Sequence, residues 1–268
     1  MTAPVTVAEL TDRVLAGGLG ADPARARVSV AFTIRQGARH ATRSRAYRNE
    51  VVGLRVGRAV GSCAVEPDDP AASAAEECAG ETVASLLDHE SQALRIAALD
   101  AYLMDNHPHT APSVVIPSGT SLEKSLARAR SVVELLPSSV ERVLVVGVVN
   151  SLLHCLRERG TDYVPCDLKG GTTEYGEAVR TDAFAELGAC DAVLASGMTL
   201  ANGTFEPLLA HARRTGTPLA LFAQTGSAVL PWFVGAGVSA VSAEPYPFFW
   251  LDGGPSVIYR YREPRCWN

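Results

Sequence analysis

Short apolar runs alternate with segments of helical periodicity in the second half of the chain. The segments predicted as strands cover 143–147, 161–165, 191–195 and 218–222, and amphipathic segments follow the first and third. This order, strand then helix, is typical of a doubly wound parallel sheet. Because parallel strands end at one edge of such a sheet, the residues that follow each run are expected to meet there.

The most informative of these ends is Ser196-Gly-Met-Thr-Leu-Ala-Asn-Gly-Thr204. Gly197 and Gly203 allow a tight turn and close approach of the backbone to a ligand, and Thr204 can cap a helix that begins at Phe205. Such a turn often faces a small polar or anionic ligand. A glycine-containing connection with an ordinary threonine cap has the same local pattern.

Polar residues follow the other runs as well. Asp167 lies 20 positions after Gly147, the spacing at which dinucleotide-binding folds carry a ribose-binding carboxylate. We therefore predict one pocket at the sheet edge. Its predicted ligand-binding residues are Gly147, Asn150, Asp167, Gly197, Thr199, Asn202, Gly203, Thr204, Gln224, Thr225 and Ser227.

Candidates for metal binding and catalysis are few. Cys166 adjoins Asp167 and is the candidate metal ligand, although a cysteine packed at a strand end fits equally well. The six cysteines form no C-x-x-C pair, so the sequence has no recognisable closed zinc site. Asp167 and Glu174 are candidate proton-transfer groups, and a surface role suits Glu174 as well. Without a complete catalytic set, the sequence leaves open whether the protein is an enzyme.

Missing motifs and composition exclude several cofactors and partners. Val148, Val149 and Asn150 follow Gly147 where a second glycine would admit a pyrophosphate, so ordinary NAD binding is not expected, while a divalent transition metal stays possible. A formal net charge of −5 argues against nucleic acid. The chain has no apolar segment of roughly 20 residues and no amino-terminal signal pattern, so we expect a cytoplasmic protein without a membrane partner. A homodimer is the default expectation.

The first half of the chain predicts a small α+β unit. An arginine-rich stretch, Arg35–Arg48, is expected to form a loop that either closes over an anionic ligand or is merely solvated. The predicted elements are a helix over 7–19, antiparallel strands over 28–34, 51–56 and 59–65, and helices over 75–88 and 91–104. The predicted domains are 1–112, a linker with a connecting helix over 113–138, and 139–268.

These motifs resemble those of the putative heavy-metal chelation family. The resemblance depends on the 196–204 motif, Gly147, the 191–195 run, and Ser91-x-x-x-Arg-Ile-Ala-Ala-Leu-Asp-Ala101. It covers most of the chain. It implies an α/β protein in which a small α+β domain, similar to the amino-terminal domain of enolase, precedes a Rossmann-like, mostly parallel doubly wound sheet.

Three functions are compatible with this pattern. The first is a cytoplasmic small-molecule or metal-complex binding protein that uses the sheet edge and the Thr-Leu-x-Asn-Gly-Thr turn. The alternative is an enzyme of specialised small-molecule metabolism, acting on an amino-acid-like, nucleoside-bearing or chelating substrate in the same interdomain cleft. A third is a partner protein that presents the aromatic run Tyr246–Trp250, although that run also suits a core or a dimer interface.

Overall fold

The computed structural model describes residues 3–39 and 47–263. The helices are α1 (Val7–Leu15), α2 (Pro70–Ala74), α3 (Val83–Leu87), α4 (Gln92–Asn106), α5 (Ser121–Val133), α6 (Asn150–Arg159), α7 (Ala183–Glu186) and α8 (Phe205–Thr215). The strands are β1 (Val28–Ala38), β2 (Tyr47–Val56), β3 (Ala59–Val65), β4 (Ser113–Ile116), β5 (Arg142–Val146), β6 (Asp162–Cys166), β7 (Ala192–Ser196), β8 (Leu219–Ala223), β9 (Ala240–Ala243) and β10 (Ser256–Arg262). Single turns of 3-10 helix span Ala75–Cys78, Leu187–Ala189, Gly197–Leu200 and Leu230–Phe233.

The amino-terminal strands form an antiparallel sheet in the order β1-β2-β3. Helix α4 lies directly on it, and a Cβ on Gly61 would be only 1.9 Å from the backbone nitrogen of Ala101. A glycine is therefore required where β3 meets α4. Ser91 caps α4 by accepting a hydrogen bond from the Leu94 N–H.

Two expectations for this half were wrong in detail. Arg35 lies in β1 and Arg48 in β2, so the ends of the arginine-rich stretch are strand, and Arg35 pairs with Glu50 across the ladder at 2.6 Å. Residues 40–46 lie outside the described residues. The single helix expected over 75–88 is divided, because Gly80 takes a φ of +93° and Thr82 starts α3 with its own side-chain cap.

The large sheet has the order β4-β10-β9-β8-β7-β5-β6, so the predicted mixed α/β architecture is confirmed. Strands β5 to β9 are parallel, while β10 is antiparallel to both its neighbours. The chain passes from β5 to β6 on one side and to β7 on the other, so the strand order reverses between β5 and β7. Strand β4 lies in the segment expected to be a linker, and the domain boundaries stay a prediction.

Two apolar cores flank this sheet. On one face, β-strand residues such as Val145 and Phe222 pack with Val132 of α5 and Leu152 of α6. The core of the other face is continuous with that of the small sheet and includes residues of both α4 and α8. Among the described residues, none of the helices combines the length and hydrophobicity that a bilayer crossing demands.

Candidate functional site

A cavity of about 230 Å³ lies at the carboxyl ends of β5, β6 and β7, where the strand order reverses. This is the position at which open parallel sheets bind ligands. Its lining residues are Glu66, Val146, Gly147, Cys166, Asp167, Leu168, Thr181, Asp182, Ala183, Phe184, Ser196, Met198, Thr199, Asn202 and Thr204. Glu66 follows β3, so both sheets contribute to the cavity.

Two glycines let the strand ends come together beneath the cavity. Gly147 has a φ of +90°, and a Cβ there would be 2.7 Å from the Ser196 Cβ. A Cβ on Gly197 would be 2.4 Å from the carbonyl oxygen of Thr225. Larger residues at these positions would push β5, β7 and the turn after β8 apart.

The turn after β7 is held by its own side chains. The Thr199 hydroxyl donates to the Ser196 carbonyl at 2.7 Å, and the Met198 N–H donates to the Ser196 Oγ at 3.3 Å. Asn202 Oδ1 accepts from both the N–H and the hydroxyl of Thr204, at 3.1 and 2.6 Å. The expected threonine cap of α8 was therefore wrong: Thr204 occupies the cap position, but its hydroxyl bonds to Asn202.

Two aspartates hold the loops that form the other wall. Asp167 accepts from the N–H of Val148 at 3.2 Å and from that of Lys169 at 3.0 Å, so it joins the ends of β5 and β6. Asp182 caps α7, and its Oδ1 accepts from the N–H groups of Phe184 and Ala185. Both carboxylates thus have structural bonds in addition to their place in the lining.

The charge of the lining is negative. Glu66, Asp167 and Asp182 contribute three carboxylates, and the lining contains no lysine or arginine. Glu66 forms an ion pair with Lys169 at 2.8 Å, and both side chains are about half exposed. Lys169 therefore offsets part of the Glu66 charge, and the lining keeps the negative charges of Asp167 and Asp182.

Cys166 lies in the lining as a buried thiol, 2% exposed. Burial, with a smaller contribution from the Asp167 charge, raises the pKa of this thiol to about 11. It is therefore protonated at neutral pH and unsuited to act as a nucleophile. Across 3–39 and 47–263, no three His, Cys, Asp or Glu side chains are arranged to hold a metal ion.

The predicted ligand-binding residues divide into two groups. Gly147, Asp167, Thr199, Asn202 and Thr204 line the cavity, as does Cys166, and Gly197 and Gly203 lie between lining residues of the same turn. Asn150, Gln224, Thr225 and Ser227 do not line it. Glu174 is also outside the lining, and its N–H donates to Asn150 Oδ1 at 3.5 Å.

Gln224, Thr225 and Ser227 follow β8, where other residues fill the sheet edge. The segment after β9 carries Phe248 and Phe249, which are 2% and 8% exposed, so these two residues of the aromatic run are core, whereas Tyr246 and Trp250 are only partly buried. The Trp250 indole N–H donates to Gln224 Oε1 at 3.3 Å. Asp100 of α4, 1% exposed, accepts from the Ala228 N–H at 2.7 Å and the Ser62 N–H at 2.9 Å.

Sequence reasoning missed four lining residues with charged or large exposed apolar side chains. Asp182 and Phe184 belong to a capping pattern, Asp-Ala-Phe-Ala, that signals the start of α7. Leu168 is next to the predicted Asp167 and carried no signal of its own. Glu66 comes from the small sheet, and no local pattern links it to a strand end 80 positions later, at Val146.

Comparison with known proteins supports the family resemblance. Residues 132–243, from α5 to the end of β9, match the model of DUF364, a family described as "putative heavy-metal chelation". The match includes every lining residue of the cavity except Glu66.

Two solved DUF364 structures share the fold. A protein with unknown function from Desulfitobacterium hafniense DCB-2 matches with a TM-score of 0.59 and 17% identity over 94% of this chain and 98% of that chain. A second, from Pyrococcus horikoshii, matches with a TM-score of 0.50 and 14% identity over 88% of this chain and 87% of the other. None of the curated proteins matches this chain.

Proposed function

We propose that the cavity between β5, β6 and β7 binds a small, positively charged ligand, either a metal ion carried in a complex or an organic ammonium compound. The observation that carries this proposal is the lining of three carboxylates without a basic residue. Thr199, Asn202 and Thr204 add hydroxyl and amide groups for hydrogen bonds. The anionic ligand considered from the sequence is disfavoured by the same charges.

The family description supports a metal ion as part of the ligand. The side chains of the described residues limit the form in which such a metal binds. A bare transition metal requires several protein ligands in a defined geometry, and the described residues offer no such cluster. Cys166 would first have to lose a proton from a buried thiol whose pKa is raised. A metal that already has its own ligands needs only complementary charge and hydrogen bonds, which the cavity provides.

Titration calorimetry at low ionic strength tests this proposal with three probes. Hexaamminecobalt(III) represents a metal complex, ethylammonium an organic cation, and sulfate an anion. Asp182→Asn removes one charge and keeps an oxygen that can cap α7. Asp69→Asn is the matched control, because Asp69 caps α2 in the same way outside the lining.

We expect at least one cation to bind, and Asp182→Asn to weaken it about fivefold, a typical effect of one partly solvated charge. Asp69→Asn should leave the affinity unchanged. Binding of hexaamminecobalt(III) alone would favour the metal complex, and binding of ethylammonium alone the organic cation. Tighter binding of sulfate than of either cation, or equal effects of the two variants, would refute the proposal. The enzyme alternative, the cytoplasmic location and the homodimer stay predictions.

A further inference from the structure

Two large apolar side chains are exposed at the mouth of the acidic cavity. Leu168 is 59% exposed and Phe184 is 45% exposed, and both belong to the lining. Met198 contributes a third, partly buried apolar group from the turn after β7. Exposed apolar side chains around a concave polar site mark a surface that a ligand covers.

The two exposed side chains lie one and two positions after the two wall aspartates in the sequence. Asp167 precedes Leu168, and Asp182 precedes Phe184 by two positions. The backbone connects these walls, because the Asp167 N–H donates to the Arg180 carbonyl at 2.8 Å and Cys166 forms a bridge with Arg180. Each wall therefore carries one carboxylate and one exposed apolar side chain, and the carboxylate's backbone hydrogen bonds fix the local turn.

We infer that the ligand is amphipathic: a cationic group lies among the carboxylates and an apolar, ring-sized group lies against Phe184, Leu168 and Met198. This inference rests on the proposed function and narrows its ligand class. A phenyl ring on Phe184 gains burial and favourable aromatic packing, and a thioether packs well on a ring edge. A ligand of charge alone would leave these apolar side chains in water.

Calorimetry with three matched compounds separates charge from apolar contact. Benzylammonium has both features, ethylammonium has the charge alone, and benzyl alcohol has the ring alone. The variant is Phe184→Ala. Phe184 is exposed, and the side chain that caps α7 is that of Asp182, so the variant keeps the cap. Val115→Ala is the control, because Val115 is 61% exposed and lies on β4, outside the lining.

We expect the wild-type protein to bind benzylammonium about tenfold more tightly than ethylammonium. Phe184→Ala should bring the ratio of the two affinities close to one, because it weakens benzylammonium binding much more than ethylammonium binding, while Val115→Ala changes neither affinity. Equal affinity for the two cations, or a ratio that Phe184→Ala does not reduce, would overturn the inference and leave the proposed function intact. Binding of neither ammonium compound would overturn the inference, and it would overturn the proposed function as well if hexaamminecobalt(III) also fails to bind. Binding of benzyl alcohol as tight as that of benzylammonium would overturn both.

Discussion

The carboxyl edge of the large sheet has an open half and a closed half, and acidic residues serve opposite purposes in them. At the open half, beyond β5, β6 and β7, Glu66 and Asp182 are exposed to solvent and face a cavity. At the closed half, beyond β8 and β9, Asp100 and Glu244 are 1% and 0% exposed. Acidic side chains therefore form a charged surface at the open half, whereas at the closed half they are buried and hydrogen-bonded to other segments of the chain.

Strand order and the returning chain explain this difference. Between β5 and β7 the connections leave in opposite directions, so the space above the strand ends stays open. Beyond β9 the chain turns back across the sheet, and Phe248 packs against Val51 and Ala64 of the small sheet. The sheet edge thus stays open to a ligand only where no segment of the chain covers it.

Replacement of a glutamate by glutamine in each half gives the sharpest contrast. Glu244 accepts from Arg128 at 2.6 Å and from the Phe249 N–H at 2.8 Å, and Arg128 is itself only 5% exposed. Glu244→Gln leaves the Arg128 charge buried and unpaired, so we expect the free energy of unfolding to fall by about 3 to 5 kcal/mol. Urea denaturation measures this loss.

Glu66→Gln is the matched control at the open half. It removes one partner of a half-exposed ion pair with Lys169, and its expected cost is below about 1 kcal/mol. Similar losses in the two variants would show that the two halves do not differ as described.

The pH dependence of stability should come from the closed half as well. Burial raises the pKa of Asp100 to about 7, although several backbone N–H groups donate to it, whereas an unfolded aspartate titrates near 3.8. Because the folded state favours the protonated form, Asp100 adds to the free energy of unfolding at low pH. This stabilisation is lost as the pH rises from about 4 to 7.

Urea denaturation of the wild-type protein and of Asp100→Asn between pH 5 and 9 tests this sign. Relative to the variant, the wild-type protein should lose about 2 kcal/mol of unfolding free energy from pH 5 to 7 and change little above pH 8. A difference that is constant with pH, or that grows in the opposite direction, would contradict the raised pKa. The variant should also be less stable at low pH, because an amide N–H₂ then faces a backbone donor such as the Ala228 or Ser62 N–H.

What the sequence predicted well was local. Apolar runs ending in Gly147 and Ser196 correctly indicated neighbouring parallel strands, since strand periodicity and glycine turns are properties of a few adjacent residues. The 3-10 turn at Gly197–Leu200 also lies within the predicted motif. The mixed α/β architecture follows from the order of such elements.

The sequence could not show which of the residues that follow the strands lie at the open half of the sheet edge. Gln224 and Thr225 follow β8 just as Asp167 follows β6, so their local patterns are equivalent. Whether each faces a cavity depends on distant residues such as Trp250, which bonds to Gln224, and Glu66, which reaches the cavity from the other sheet. Those contacts are set by the order of strands and by long-range packing.

The smallest effect we expect separates the two roles of Asp182, as a helix cap and as a charge. Asp182→Asn keeps an oxygen acceptor for the Phe184 and Ala185 N–H groups, so the free energy of unfolding should change by less than about 0.5 kcal/mol. Asp182→Ala removes the acceptor and should cost about 1 kcal/mol. Both variants should weaken ethylammonium binding equally, because both remove the charge. If only the alanine variant weakened it, the loop geometry, and not the charge of the open half, would be what the ligand recognises.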